Sequence, residues 1–203
     1  IARLDLGLLR KTLTKHESGV YLLPRPIHLE DMDSISIDDF RKVLALLKAS
    51  FSHVVLDLSK AYARLDLVSM QVADHTLLLT QLDLPCLRNV VRILNSLEHH
   101  SNVTEKIKII VNRSGLDRSQ ISSANAEETI NKPIFWRIPN NFSVVSESRN
   151  NGVPLVTQAP KAAITLSINE LADKLCGNEP AAAESEANAD KRAKSWLKFL
   201  AKK

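Results

Sequence analysis

The sequence predicts an α/β protein with a mostly parallel sheet and helices on both faces of the sheet. Short apolar runs alternate along the chain with segments whose apolar residues recur at helical spacing. Two of these runs, at residues 54–56 and 76–79, bracket a helical segment, as strands joined by a crossover helix do. With 203 residues, 44% of them apolar, the chain can build one domain with a proper core.

Several predicted elements have a boundary signal in the sequence. Pro24 and Pro26 stop a strand that begins at Gly19, since proline cannot donate to a strand ladder. Pro85 suits the first turn of a helix, and Asp117 is the predicted N-cap of another. The elements predicted for the first half of the chain are helices at 3–16, 36–50 and 63–72, with strands at 19–23, 53–57 and 75–80. Those for the second half are helices at 85–99, 117–130, 141–150 and 161–175, with strands at 106–112 and at 133–138, where Pro139 follows.

Three regions differ in composition. Residues 1–176 are the predicted α/β domain, and residues 177–190 lack large apolar side chains, which predicts a flexible linker. Residues 191–203 form a basic tail with Trp196 and Phe199. Because the chain begins at Ile1 rather than at methionine, we expect that further sequence precedes it.

The positive net charge belongs to the tail. Residues 191–203 contain six lysine or arginine side chains and no acid, whereas the other 190 residues contain 21 basic and 23 acidic side chains. A faintly acidic body argues against a protein that wraps around nucleic acid. Cys86 and Cys176 lie in no metal or redox motif, which fits a reducing cytosol.

Asp57 is the strongest candidate for a catalytic group. It follows the apolar run 54–56, and a buried parallel strand that ends in a carboxylate is the Walker B arrangement of nucleotide-binding proteins. A carboxylate at this edge of a sheet can hold a Mg²⁺-bound water beside nucleotide phosphates. The alternative is an acid that only caps a loop.

Polar residues also end the predicted strands at 106–112 and 133–138. Asn112 and Arg113 precede Gly115, and Pro139 and Asn140 close the next strand. An amide side chain can recognise an adenine edge with one donor and one acceptor, and the alternative, which the residues alone favour, is a turn residue. The six histidines show no ligand spacing, and we identify no base beside Ser59 or Ser114, so a nucleophilic hydrolase is unsupported.

Three segments in the same order carry a resemblance to a known family. They are residues 73–97 (ADHTLLLTQLDLPCLRNVVRILNSL), 106–113 (KIKIIVNR) and 138–156 (IPNNFSVVSESRNNGVPLV). Together they resemble the ParA/MinD superfamily of P-loop ATPases, and within it the CpaE/TadZ branch, which is linked to assembly of Flp (Tad) pili. The resemblance extends over roughly residues 3 to 175.

The resemblance implies a role for each candidate residue. Asp57 would be the Walker B acid near Mg²⁺, with both a catalytic and a metal-binding role, and ATP would be the nucleotide. Asn112 and Arg113 would lie beside the base, as would Pro139 and Asn140. Members of the family are typically homodimers that sandwich ATP, and their nucleotide state controls their position in the cell.

Two features of the family are missing from these 203 residues. There is no glycine-rich Walker A loop, since the five glycines lie far apart, and Asp57 is followed by Leu58-Ser59-Lys60 rather than by proline and glycine. Asn140 stands where the family commonly has an acid. Without backbone N–H groups and a lysine to offset the phosphate charge, we expect this polypeptide to bind ATP poorly. Either an upstream segment supplies the loop or the branch has lost hydrolysis.

The tail has the composition of a membrane-surface helix. On a helix, Ala193 and four large apolar residues lie on one side and lysines on the other, and anionic lipid head groups attract such a surface. A solvated, disordered end is the alternative. The predicted membrane-binding residues are Lys194, Trp196, Leu197, Lys198, Phe199 and Leu200.

These observations support one leading hypothesis and two alternatives. The leading one is a CpaE/TadZ-like localisation factor in the cytoplasm, peripheral on the inner face of the membrane, that positions a pilus or secretion machine. The first alternative is a non-catalytic dimerising scaffold. The second is a ParA-type partitioning protein that binds DNA, against which the acidic body argues.

Overall fold

The computed structural model describes residues 6–26, 34–59, 63–116 and 120–177. It confirms the α/β class, since parallel strands alternate with helices through most of the described chain. The chain divides after Asp74 into two units. No helix in these ranges is long and apolar enough to cross a membrane.

The described residues of the first unit form three helices and a small hairpin. Its elements are α1 (Leu6–Thr12), β1 (Thr14–Lys15), β2 (Tyr21–Leu22), α2 (Ile37–Ser50) and α3 (Arg64–Val72). Helix α2 packs against both α1 and α3, and the buried apolar side chains among the unit's described residues are Leu9, Leu44, Leu47, Val68 and Met70. Ser36 caps α2 by accepting a hydrogen bond from the Asp39 backbone N–H. The Ser36 hydroxyl also donates to the Asp39 carboxylate, which lowers the pKa of Asp39.

Three predictions for this unit need correction. Helix α1 ends at Thr12 rather than at 16, because residues 14–15 pair antiparallel with β2 in a hairpin that the sequence did not predict. The strand predicted at 19–23 is only the two residues of β2. The strand predicted at 53–57 is wrong. Exposure still alternates along 53–59, as in a strand, but no described strand pairs with this segment, and Val55 is 93% exposed.

The second unit is built on a parallel sheet of three strands. They are β3 (Thr76–Thr80), β4 (Ile107–Ser114) and β5 (Ile134–Pro139), with β4 in the centre. Ile109, Ile110 and Val111 of β4 are almost completely buried, which explains why the strand is a continuous apolar run. Strand β3 has one neighbour, and its Leu77 and Leu79 are 36% and 56% exposed.

In the part of this unit that the structure describes, six helices accompany the sheet. They are α4 (Leu84–Ser96), α5 (Ser101–Thr104), α6 (Ser123–Ile130), α7 (Phe142–Asn151), α8 (Leu155–Gln158) and α9 (Ala163–Cys176). Helix α4 packs on β3 and α6, and α9 packs on β5. Ile110, Ile138, Ile164 and Leu171 form an apolar cluster against which Trp136 packs, while the Trp136 Nε1–H donates to Ser167 at 3.0 Å.

Most predicted elements of this unit are confirmed, with three differences. Helix α6 begins at Ser123 rather than at 117, because Ser122 is its N-cap and accepts from the Asn125 backbone N–H. Helix α4 ends at Ser96, and the short helices α5 and α8 were not predicted. Pro85 lies in the first turn of α4, as expected. Asp117, residues 178–190 of the predicted linker and the tail 191–203 lie outside the described residues.

Asp66 connects the segment that contains Asp57 to helix α3. Its side chain is 7% exposed in the first unit's core, and its carboxylate accepts from the Ser59 backbone N–H at 3.1 Å and the Ser59 hydroxyl at 2.5 Å. It also accepts from the Ala63 N–H at 2.8 Å, where α3 begins. One buried carboxylate thus fixes both a helix start and the chain two residues beyond Asp57.

Replacing Asp66 with alanine tests this connection. Because three donors lose a charged acceptor, we expect the Asp66→Ala change to lower the free energy of unfolding by about 1–3 kcal/mol. The measurement is urea unfolding followed by circular dichroism. The matched control is Asp74→Ala, which removes an exposed carboxylate paired with Lys48 at 3.4 Å and should cost about 0.5 kcal/mol or less. Equal losses in the two variants would contradict the role given to Asp66.

Candidate functional site

The last residues of β4 form a bulge. Val111 pairs with Arg137 and Ser114 pairs with Pro139, so β4 has one residue more than β5 between these two pairs. Asn112 and Arg113 occupy this interval, and Arg113 has a φ of +53°, in the left-handed region. Bulges redirect side chains and terminate pairing, often beside functional sites. The bulge therefore lies where the family resemblance predicts the base-contacting pair.

The loop that follows is held by hydrogen bonds to its own backbone. The Asn112 Oδ1 accepts from the Arg113 N–H at 2.9 Å, and the Leu116 N–H donates to the Arg113 carbonyl at 3.2 Å. Gln120 bridges the turn, since its Oε1 accepts from the Gly115 N–H at 3.0 Å and its Nε2 donates to the Arg113 carbonyl at 3.1 Å. Gly115 has a φ of +78°, where glycine is favoured.

A backbone hydrogen bond joins this loop to the end of β5. The Asn140 N–H donates to the Ser114 carbonyl at 3.0 Å, directly after the Ser114–Pro139 pair. Asn112, Arg113, Pro139 and Asn140 thus lie together at the carboxyl edge of the sheet, where open α/β sheets bind ligands. We call these four residues the loop site.

The loop site presents donors to a ligand. Because the Asn112 Oδ1 is engaged with backbone, its Nδ2 is the group left to bind a ligand, and no described residue accepts from it. Arg113 is exposed, whereas Asn112, Pro139 and Asn140 are half-buried. Two apolar side chains near the loop site in sequence are exposed. Leu116 follows Asn112 and Arg113 and is 49% exposed, and Phe142 follows Pro139 and Asn140 and is 63% exposed. An amide donor and a guanidinium can bind the acceptor atoms of a purine edge.

Asp57 belongs to the first unit, whereas the loop site belongs to the second. The expectation that Asp57 ends a buried strand is wrong, because residues 53–59 form no strand and Asp57 is exposed. Its position depends instead on Ser59, which Asp66 holds. A single exposed carboxylate can supply one oxygen ligand to Mg²⁺, which usually keeps several waters.

The fit to a bound nucleotide differs between its two ends. The loop site has the donors that a base requires. At the phosphate end, the 203 residues contain no glycine-rich loop, and within the described ranges no three His, Cys, Asp or Glu side chains are grouped to hold a metal ion. The residues present therefore fit the base and do not by themselves fit the triphosphate.

Sequence reasoning missed Gln120 and Asp66. Gln120 follows three residues that are not described and has no distinctive neighbours in the sequence, so only coordinates reveal that its amide spans the turn. Asp66 does carry a signal, since an acid three residues after Ala63 can accept from the first free N–H of a helix.

Cys86 lies in the first turn of α4, beyond the end of β3. Burial raises the pKa of the Cys86 thiol, and a hydrogen bond from the thiol to Asp83 together with the Asp83 charge raises it further. The thiol therefore stays protonated at neutral pH and is a poor nucleophile.

Comparison with curated proteins finds two relatives. The chain is 24% identical over 174 residues to the septum site-determining protein MinD of Thermotoga maritima, over 83% of this chain and 63% of that protein. It is 26% identical over 137 residues to an uncharacterized ATP-binding protein of Methanocaldococcus jannaschii, over 68% of this chain and 51% of that protein. The chain thus spans between half and two-thirds of the length of these relatives. No protein-family model matches the chain.

Solved structures show the fold. A ParA family ATPase from Chlorobium tepidum superimposes with a TM-score of 0.78 at 23% identity, over 84% of this chain and 71% of that one. MinD from Pyrococcus horikoshii, solved in complex with Mg-ADP, gives a TM-score of 0.68 at 20% identity, over 85% and 72%. The MinC:MinD complex of Aquifex aeolicus gives 0.67 at 22%, over 83% and 68%. The chain has the fold of the ParA/MinD P-loop ATPases.

The left-handed conformation of Gly115 gives a test of the loop geometry. A Cβ atom at Gly115 would meet no atom within 4 Å, so the Gly115→Ala change adds backbone strain without a clash. We expect it to lower the free energy of unfolding by about 1 kcal/mol, measured by urea unfolding. Gly115→Asn is the control, because asparagine tolerates positive φ and should cost less. A loss as large for asparagine as for alanine would contradict this conformation.

Proposed function

We propose that this chain belongs to a MinD/ParA-like localisation factor and that the loop site holds the base of an adenine nucleotide. The observation that carries the proposal is the β4 bulge, which joins Asn112 and Arg113 to Pro139 and Asn140 at the carboxyl edge of a parallel sheet. The P. horikoshii protein with the same fold was solved with Mg-ADP. Similarity of fold and chemistry at one sheet edge together favour nucleotide binding over other ligands.

Within this proposal each loop-site residue has a task. The Asn112 Nδ2 donates to an acceptor nitrogen of the purine, and the exposed Arg113 guanidinium binds or covers the ring from the same loop. Pro139 and Asn140 limit the site on the β5 side, because the Asn140–Ser114 hydrogen bond fixes their distance from the loop. The half-buried position of Asn112 makes its hydrogen bond to a ligand stronger than the same bond in open water.

ATP-dependent switching requires a glycine-rich phosphate loop, which these 203 residues do not contain, and it is proposed on the condition that the full-length protein supplies one. Asp57 would then supply the carboxylate that holds a Mg²⁺-bound water, where the ion would offset phosphate charge. In the chain itself, Asp66 keeps the segment around Asp57 attached to helix α3 through Ser59.

We propose the CpaE/TadZ branch and its pilus or secretion machine as the biological context. The support is the order of the three sequence segments at 73–97, 106–113 and 138–156. The proposed assembly is a homodimer, as in the family, and the proposed location is the cytoplasmic face of the membrane. The A. aeolicus MinD was solved in complex with MinC, which is an example of a partner bound to this fold.

Two observations favour a second candidate function, a non-catalytic scaffold with the same fold. Asp57 is exposed and lies in no strand, and the 203 residues lack a phosphate loop. A protein that kept the fold and lost hydrolysis would have both features. This candidate predicts normal assembly of the partner machine without ATP binding.

Nucleotide binding by the complete gene product tests the loop site. We expect Asn112→Ala to weaken binding of Mg-ADP about tenfold, because one partly buried hydrogen bond is lost, as measured by calorimetry. The matched control is Asn89→Ala on the exposed side of α4, where the amide binds only Arg92. Unchanged affinity in Asn112→Ala, beside clear binding by the unchanged protein, would remove Asn112 from the site.

Turnover tests Asp57 separately. In the complete gene product, Asp57→Ala should reduce ATP hydrolysis by at least about a hundredfold, because a carboxylate that orients Mg²⁺ is lost. Asp74→Ala is the control for removal of an exposed acid in the same unit. Unchanged turnover in Asp57→Ala would exclude Asp57 from the mechanism, and no ATP binding by the unchanged protein would favour the scaffold.

The tail is proposed to bind anionic membranes. Deleting residues 191–203 should release the protein from vesicles that contain anionic lipid, because the tail has six of the 27 basic side chains and two aromatic anchors. Co-sedimentation measures this, with neutral vesicles as the control. Binding to duplex DNA but not to anionic vesicles would favour the partitioning alternative instead.

A further inference from the structure

Gln120 makes two hydrogen bonds to one turn. Its Oε1 accepts from the Gly115 N–H at 3.0 Å, and its Nε2 donates to the Arg113 carbonyl at 3.1 Å. Both ends of the amide are therefore used on backbone groups two residues apart. Among the described side chains from outside residues 112–116, Gln120 is the one that binds the backbone of this loop.

The loop needs such support because its backbone is strained. Arg113 has a φ of +53° and Gly115 a φ of +78°, and a residue with a Cβ rarely adopts the first of these conformations. The Asn112 Oδ1 accepts a hydrogen bond from the Arg113 N–H inside the same bulge. A group that fixes the carbonyl of Arg113 and the N–H of Gly115 fixes the residues on both sides of Ser114.

We propose that Gln120 is a positioning residue for the loop site. It holds the turn in the form in which the Asn112 Oδ1 is bound to backbone and the Asn112 Nδ2 remains to bind a ligand. In this form the loop binds a base that turns a hydrogen-bond acceptor atom toward the Asn112 Nδ2. This inference rests on the proposed nucleotide site, and it assigns to Gln120 no contact with the nucleotide itself.

The two bonds of Gln120 can be removed in two steps, the donor bond first and then both. Gln120→Glu keeps an acceptor for the Gly115 N–H but replaces the donor with a carboxylate oxygen, which repels the Arg113 carbonyl. Gln120→Ala removes both bonds. Gln158→Ala is the matched control, because Gln158 in α8 is also a half-buried amide of the second unit, and it donates to Glu147 at 3.0 Å.

The experiment uses the complete gene product with two ligands and one probe of the loop. Calorimetry measures affinity for Mg-ADP and for inorganic pyrophosphate, which has no base. Hydrogen exchange, followed by NMR, measures protection of the Gly115 amide. We expect both Gln120 variants to bind ADP about tenfold more weakly, with unchanged affinity for pyrophosphate. We expect Gly115 exchange to rise about tenfold in Gln120→Ala and to rise less in Gln120→Glu, while Gln158→Ala changes neither.

Three results would overturn the inference. If both Gln120 variants keep the Gly115 exchange rate and the ADP affinity of the unchanged protein, Gln120 does not position the loop. If ADP and pyrophosphate affinities fall together, the effect is a general loss of structure. If the unchanged protein binds no ADP, or if Asn112→Ala binds it normally, the proposed function fails as well. If the Gln120 variants bind ADP normally while Asn112→Ala binds it more weakly, only the role of Gln120 is disproved and the proposed nucleotide site stands.

Discussion

Strand pairing is the constraint on which the described structure depends. Strand β4 has a neighbour on each side, and its residues Ile109–Val111 are the most completely buried run in the described chain. Among the described strands, β3 has one neighbour and is partly exposed, whereas residues 53–57 pair with none of them and form no strand. These three segments have similar apolar composition, so their different outcomes follow from the supply of hydrogen-bonding partners rather than from side-chain preference.

The same pairing creates the loop site. At the end of its pairing with β5, strand β4 has one residue more than β5, which makes a bulge. Two residues with positive φ, Arg113 and Gly115, lie close together there. The strain of this arrangement is tolerated because hydrogen bonds from Gln120 and Asn140 surround it. A rigid central strand thus ends in a loop of defined shape, which is what recognition of a flat base requires.

Local patterns in the sequence were enough to find the elements whose partners are nearby. Helix α2 follows from its apolar spacing and α4 from Pro85, so both were predicted within a few residues. The clustering of Asn112 with Asn140 was predictable too, because carboxyl ends of parallel strands share one edge. The bulge and the Gln120 bridge were not, since both depend on a one-residue difference in register that no composition reveals. The strand predicted at 53–57 is wrong for a related reason. A pattern of apolar residues does not show whether a neighbouring strand is available to pair with the segment.

The edge of β3 that no described strand covers has a practical consequence. It exposes Leu77 and Leu79 next to free backbone groups, and Thr76–Thr80 contains neither charge nor proline to discourage contact with another chain. Expressed by itself at high concentration, this 203-residue polypeptide is therefore at risk of self-association through intermolecular β-structure. Precipitation of such a sample would report an uncovered edge rather than a failure of the remaining fold.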